Sequence, residues 1–524
     1  MGALTLKVFS DELREWEFIE GEGIDPTDSF GVNLRLSVRE NQIFLAEPSD
    51  VNTPWLTDRG RLFFDGMFEK SISEEKINWN SFFKDILESI YFFDHLNLYK
   101  KNSLSLLVVF ENVSLEVINM LYLIEQSYSF VKLKRIENHE INNDFESSYQ
   151  LESTSNKSKL LMSNLSIVLN TNTRHEGYVL NLNLRQRFLK GDFKLLYIGS
   201  ILDITLPVSN LGSNMNILRF IGEGTHIFCQ DIKNASLPTF ITNTELFKRK
   251  DSKYLTKILK YAGIINNSWN GLNVLNHNIS NVGVTSLNKF FPILSEDYVN
   301  SFGLYFINAS LKSVPNIKKL IFLELLNLIF NNKSINSKFF IDQNNNINNK
   351  DIYLDLKYNT SSNYFYLPNN LFLEDNESFM NTQGLFKKVN KLINFKKDSK
   401  SNWQIIRKFY ANLNKLAYFS NKKDNTIVNF DCINIFNYKN YINFQFNAAT
   451  TLTSLSFYLN KQNKPLITNF NTSIKATKLK IFNTKVKYWL DDFFMSNNKD
   501  SFSYNSSVMS KSSKIIRTNS TNFF

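Results

Sequence analysis

From about residue 104 the chain alternates two textures. Short, almost wholly apolar runs, such as LSLLVVF at 104–110, give way to segments in which apolar residues recur every three or four positions, such as LEVINMLYLIEQ after Ser114. The first pattern suits a strand covered on both faces, and the second a helix buried along one side. Read this way, strands are expected at 104–110, 165–169, 195–198, 239–241 and 304–307. Helices are expected at 115–126, 179–189, 215–220, 254–265 and 272–282. Strands alternating with helices predict parallel sheets with right-handed crossovers, the α/β class.

Before residue 75 the period is two rather than three or four. In Val32-Asn33-Leu34-Arg35-Leu36-Ser37-Val38 the apolar side chains fall on one face of an extended strand, so residues 1–75 predict a small β-rich module. An α/β body is expected over 76–330. A second α/β portion should follow over 331–420, after an Asn-rich loop at 331–350. The rest, 421–524, reads as a divergent region ending in a mobile Ser/Asn/Lys tail. The most apolar stretch, 320–330, is interrupted by Glu324 and Asn327 and reads as a buried helix, being too short to span a bilayer. Asp11, Glu12, Glu15 and Glu17 are wrong for a basic transit peptide or a signal peptide.

Composition narrows the chemistry. Of 524 residues only Cys229 and Cys432 are cysteines, too few for a disulfide framework or for a four-cysteine cluster or zinc ribbon. The net charge of +11 raises the possibility of an acidic partner. The 47 Phe and abundance of Asn, Lys and Ile point instead to AT-rich codons as the source of that excess. No GxxxxGK[ST] loop, HExxH helix or GxSxG elbow occurs. Gly21-Glu22-Gly23 and Gly222-Glu223-Gly224 lack the third glycine of a dinucleotide loop and are read as turns. His95, His139, His175, His226 and His277 are scattered without ligand spacing, and the acidic pairs Glu374-Asp375 and Asp491-Asp492 are read as solvated. The residues alone describe a multidomain α/β protein with no recognisable active site.

Several segments, taken in order, carry a resemblance. Gly2-Ala3-Leu4-Thr5, then Arg14-x-Trp16-Glu17, then Gly23-Ile24-Asp25-x-x-Asp28-x-x-Gly31-x-Asn33 open the series, and Trp55-Leu56-x-Asp58-x-x-Arg61-x-x-x-Asp65-Gly66 continues it. Next come Thr171-Asn172-x-Arg174-x-Glu176, Asn183-x-Arg185, Ile198-Gly199-Ser200 and Trp269-x-x-Leu272-Asn273-Val274-Leu275. Glu377-Ser378, Asn381-Thr382-x-Gly384, Trp403-x-Ile405-Ile406-Arg407 and Asp492-Phe493-Phe494-Met495 close it. Together they resemble the large iron–sulfur subunit of respiratory complex I, the NuoG type, in the part that follows its cluster-binding segment.

The resemblance implies several Rossmann-like parallel-sheet domains of the formate dehydrogenase or molybdopterin oxidoreductase type, preceded by the β-rich module. It places Thr171, Asn172, Arg174 and Glu176 on a turn that contributes to a pterin pocket in related oxidoreductases. Asn170 and Thr173 stand where that turn would carry Gly and Pro, which makes the pocket degenerate. Neither a catalytic nor a metal-ligating residue is expected, and no cofactor is expected on these residues; the iron–sulfur clusters should sit in partner subunits. Gly2, Ala3, Leu4 and Thr5 are expected to dock on a separately encoded cluster-bearing half. The implied role is a redox-silent structural subunit of mitochondrial NADH:ubiquinone oxidoreductase, organelle-encoded and on the matrix side of the inner membrane, touching other peripheral-arm subunits. The rival readings are an active molybdopterin oxidoreductase and a basic nucleic-acid-binding protein.

Overall fold

The computed structural model describes residues 14–49, 55–68, 105–135, 159–200, 204–249, 254–266, 269–276, 278–286, 301–308, 339–343, 364–367, 369–394 and 399–423, with shorter pieces such as 291–292 and 506–509 and single positions beside them. Three strands, β1 (Ile19–Ile24), β2 (Asn33–Arg39) and β3 (Gln42–Pro48), form an antiparallel sheet in that order. Glu40 and Asn41, at φ 50° and 66°, make the tight β2–β3 turn, whose left-handed residues suit the twist of the paired strands. Leu34, Leu36 and Val38 are buried while Arg35 between them is exposed, as the alternating pattern requires. Helix α1 (Asp58–Phe68) closes the module with Phe63 and Phe64 in its core.

Strand β4 (Ser105–Phe110) is buried at every position and leads through Ser114 into α2 (Leu115–Ser127), then β5 (Val131–Arg135). The chain then builds a second sheet before returning to the first. That second sheet comprises β6 (Leu165–Leu169), β7 (Lys194–Ile198), β8 (Ser209–Gly212), β9 (Thr239–Asn243) and β10 (Leu272–Leu275), all parallel, in the order β10-β9-β6-β7-β8. Its connections are α3 (Thr173–Glu176), α4 (Tyr178–Leu189), α5 (Asn216–Glu223), α6 (Cys229–Asn234) and α7 (Leu255–Tyr261), with α8 (Asn281–Ser286) after the last strand. Successive residues of β6 serve opposite layers: Ile167 and Leu169 pack with α5, α6 and α7, while Val168 packs with α4.

The first sheet resumes with β11 (Phe291–Pro292), β12 (Ser301–Ile307), β13 (Phe339–Gln343) and β14 (Tyr364–Leu367), in the parallel order β11-β5-β4-β12-β13-β14. A hairpin of β15 (Glu377–Met380) and β16 (Phe386–Val389) and the long helix α9 (Asn402–Lys423) follow. Helix α9 packs Ile405, Ile406, Phe409 and Leu413 onto the layer that α2 forms over β4 and β12. Burying each such side chain contributes about 1.5–3 kcal/mol.

The structure departs from the sequence reading at four places. The segment 272–282 is not one helix: Leu272–Leu275 is a fully buried strand, and the helix begins only at Asn281. Gly21-Glu22-Gly23 lies inside β1, where Leu392 and Leu36 occupy the space that side chains at Gly21 and Gly23 would need. The 331–350 stretch contains β13, and the first sheet runs across the expected boundary at 331, so 76–330 and 331–420 share one sheet. Glu374 and Asp375 are 2% and 8% exposed and not solvated. Residues 2–5, 320–330 and 491–495, and most of 421–524, lie outside the described residues.

Candidate functional site

The polar residues of the second sheet gather where its strands end. Strand β6 runs out at Leu169, and Asn170 turns the chain at φ 48°, a left-handed conformation that asparagine tolerates better than most side chains. Thr171, Asn172 and Thr173 follow, all buried, and α3 and α4 carry the chain back across the sheet. Asn243 at the end of β9 and Asn276 just after β10 are buried beside the same edge. Open parallel sheets bind ligands at such carboxyl ends.

The hydrogen bonds show how the turn spends its donors. The Asn170 amide donates to Ile198 O (2.9 Å), and Asn243 Nδ2 donates to Asn170 O (3.2 Å), which locks β6 to β7 and β9. Thr171 Oγ1 turns back to Leu169 O at 2.9 Å, and Thr173 Oγ1 donates to Asn181 Oδ1 at 3.1 Å. The side-chain oxygens of Asn170, Asn172 and Asn243 are buried without a hydrogen-bond partner. Arg174 is exposed, and His175 and Glu176 are half-buried. Burial, reinforced by the Glu176 carboxylate, pushes the Tyr197 hydroxyl well above its ordinary range, so it stays neutral. Thus the structure does bring Thr171 and Asn172 into a polar edge but turns Arg174 outward. Sequence reasoning missed Asn243 and Asn276; their signal is an asparagine at the point where a buried strand ends.

The first sheet has an equivalent edge. A cavity of about 20 Å³ there, the room of a single water, is lined by Asn112, Arg135, Ser280 and Asn281. Among the described residues, no three His, Cys, Asp or Glu side chains gather as a metal site. Cys229 is half-buried on α6, its Sγ 3.7 Å from Ile221 O, in the layer opposite α4.

A family model described as molybdopterin oxidoreductase matches residues 96–412, the span that holds both parallel sheets. The chain belongs to the molybdopterin oxidoreductase family. Within that family it is homologous to the large complex I subunit that the motifs resemble. It is 25% identical over 453 residues to the NADH-ubiquinone oxidoreductase 75 kDa subunit of Reclinomonas americana, covering 81% of this chain and 61% of that one. It is also 25% identical over 332 residues to the mitochondrial NADH dehydrogenase [ubiquinone] iron-sulfur protein 1 of Solanum tuberosum, covering 57% and 44%. The chain thus spans about half the length of these curated relatives. Acetylene hydratase from Pelobacter acetylenicus superposes with a TM-score of 0.45 at 8% identity, over 76% of this chain and 70% of that one.

The family implies a molybdenum-bearing pterin, and the turn fits one only in part: the side-chain oxygens of Asn170, Asn172 and Asn243 have bonds still to make, but its hydroxyls are already spent as donors. The Asn170 side chain is buried at the strand end, the position where the resemblance expects a glycine. The Thr171 and Thr173 hydroxyls are committed to the fold's own acceptors. Among the described residues the one cysteine, Cys229, sits on α6 in the layer opposite α4, away from the turn.

Proposed function

We propose that the chain is a redox-silent structural subunit of the peripheral arm of mitochondrial NADH:ubiquinone oxidoreductase. The observation that carries this reading is homology to the 75 kDa subunit over four-fifths of the chain, joined to a pterin turn whose hydroxyls are turned inward. On this reading the iron–sulfur clusters are held by polypeptide outside these 524 residues, in a separately encoded half on which Gly2, Ala3, Leu4 and Thr5 dock. The body would then brace neighbouring subunits on the matrix side of the inner membrane, with the gene carried by the organelle. No helix among the described residues is long and apolar enough to cross a membrane, which agrees with a subunit attached through partners. Isolating the intact complex tests the proposal. The chain should co-migrate with NADH:ubiquinone activity and with a short cysteine-rich polypeptide, and recovery as a free monomer would overturn it.

One observation favours a second reading. The unpartnered side-chain oxygens of Asn170, Asn172 and Asn243 are what a residual pterin would need to find. An active molybdopterin enzyme would carry molybdenum or tungsten in stoichiometric amount when purified, and elemental analysis separates the two readings.

A further inference from the structure

Two described points of the divergent region 421–524 are bonded to side chains 235 and 441 residues away in sequence, and those side chains belong to different units. The first point is Thr484, on the second sheet. Its carbonyl accepts from Met215 N at 3.1 Å at the entry to α5, and its Oγ1 accepts from Arg249 Nη2 at 2.8 Å, just past β9. The body holds that guanidinium ready. Asp251, whose side chain is 1% exposed, accepts from Arg249 Nε at 2.9 Å and from Nη2 at 2.8 Å, which fixes the guanidinium plane. Of the two hydrogens on Nη2, one serves Asp251 and the other serves Thr484.

The second point is Ser506 with the helical turn that begins at Ser507, on the β module. Asp65 Oδ2, on α1, accepts from Ser506 Oγ at 2.7 Å and from Val508 N at 3.2 Å. Ser506 Oγ accepts in turn from Met509 N at 3.2 Å. A carboxylate from another element and a serine before the turn thus take the amides that a helix start leaves over. Ser506 and Met509 are 1% and 0% exposed, so this end is built into the module and does not rest on its surface.

We propose that the C-terminal region is a strap, made fast to the second sheet at Thr484 and to the β module at Ser506 to Met509, whose two ends open as one unit. The covalent chain that joins the anchors keeps each end close to its site while the other holds. The strap therefore couples α1 to the entry of α5. Its bonds are polar and lie outside the apolar layers of both sheets, so their loss opens the joint locally and leaves the sheets folded.

Hydrogen exchange of the full chain, read segment by segment, tests the coupling. Thr484→Val keeps the side-chain volume and the carbonyl, and deletes the hydroxyl that Arg249 holds. The amides of 215–218 should then exchange about five- to tenfold faster, the worth of one such bond, and those of 58–68 and 506–509 should quicken by the same factor. Ser506→Ala removes the bond to Asp65 and should quicken the same three segments. The amides of β4 and β6 should keep their protection in both variants. A protease site inserted between the anchors supplies the control. Once it is cut in the folded chain, each substitution should act only at its own end, while the uncut insertion behaves as the parent does. Three results would overturn the proposal: each variant quickening only its own end before the cut, cross-talk that survives the cut, or a rise that spreads equally to β4 and β6.

Discussion

At the scale of single residues, the polar groups that matter are those the fold withdraws from water. Asn170 shows how a substitution can keep a backbone and lose a site: it holds the left-handed turn open to glycine, yet brings a buried amide with it. Glu377 shows the electrostatic side. Its removal from water, then Asp375 and Glu116, push its carboxyl up to about 8, while bonds from Ser114 and Asn402 pull the other way. A carboxyl raised in the folded state binds its proton more tightly there than in the unfolded chain. Its contribution is whole below about 4.5 and is lost as pH rises toward 8. Glu377→Gln removes the titration and keeps the shape. Urea denaturation should find the variant gaining on the wild type steadily from pH 5 to pH 8, and parallel stability curves would refute the assignment.

At the scale of elements, Gly271 offers a test of how the second sheet is closed. A side chain there would run into Pro238 O and come within 2.9 Å of Ile264 O, both backbone atoms that a rotamer change cannot move. Gly271 also donates to Ile264 O and accepts from Phe240 N at 2.7 Å, so the chain cannot shift aside without breaking the entry to β10. Gly271→Ala should cost about 1–3 kcal/mol, read as a lowered thermal midpoint. The same strand marks the limit of what the sequence makes legible. Buried runs such as 105–110 and 165–169 announce themselves, because short, largely apolar runs rich in Leu, Ile and Val suit a strand covered on both faces. Leu272-Asn273-Val274-Leu275 is too short to choose between strand and helix, and Asn278 to Ser280 blur its end. The Thr171 turn was legible only through the family resemblance, because its motif residues are contiguous. Asn243, Asn276 and the burial of Glu374 were not, because each depends on a neighbour more than thirty residues away or on a sheet whose strand order sequence does not state.

At the scale of the whole molecule, the units are laced together rather than strung in a row. The second sheet is an insertion in the first, the β module takes Leu371, Leu373 and Phe379 into its core, and Ser506 Oγ reaches back to Asp65 Oδ2 on α1 at 2.7 Å. If the body serves as a brace, its value lies in such joints, and Thr382 is the one where three units meet. Its amide holds Ser29 O of the β1–β2 loop, while its hydroxyl donates to Val274 O at 3.3 Å and accepts from Asn276 Nδ2 at 3.4 Å in the second sheet. Thr382→Val keeps the volume and the amide bond but strands the buried Asn276 amide, a loss of about 1–3 kcal/mol. Because the hydroxyl belongs to the joint and not to either core, hydrogen exchange should rise together in residues 24–34 and 272–276 while residues 106–110 of the first sheet stay protected. Loss spread evenly over all three segments would mean that the hydroxyl stabilises the fold as a whole and does not couple its parts.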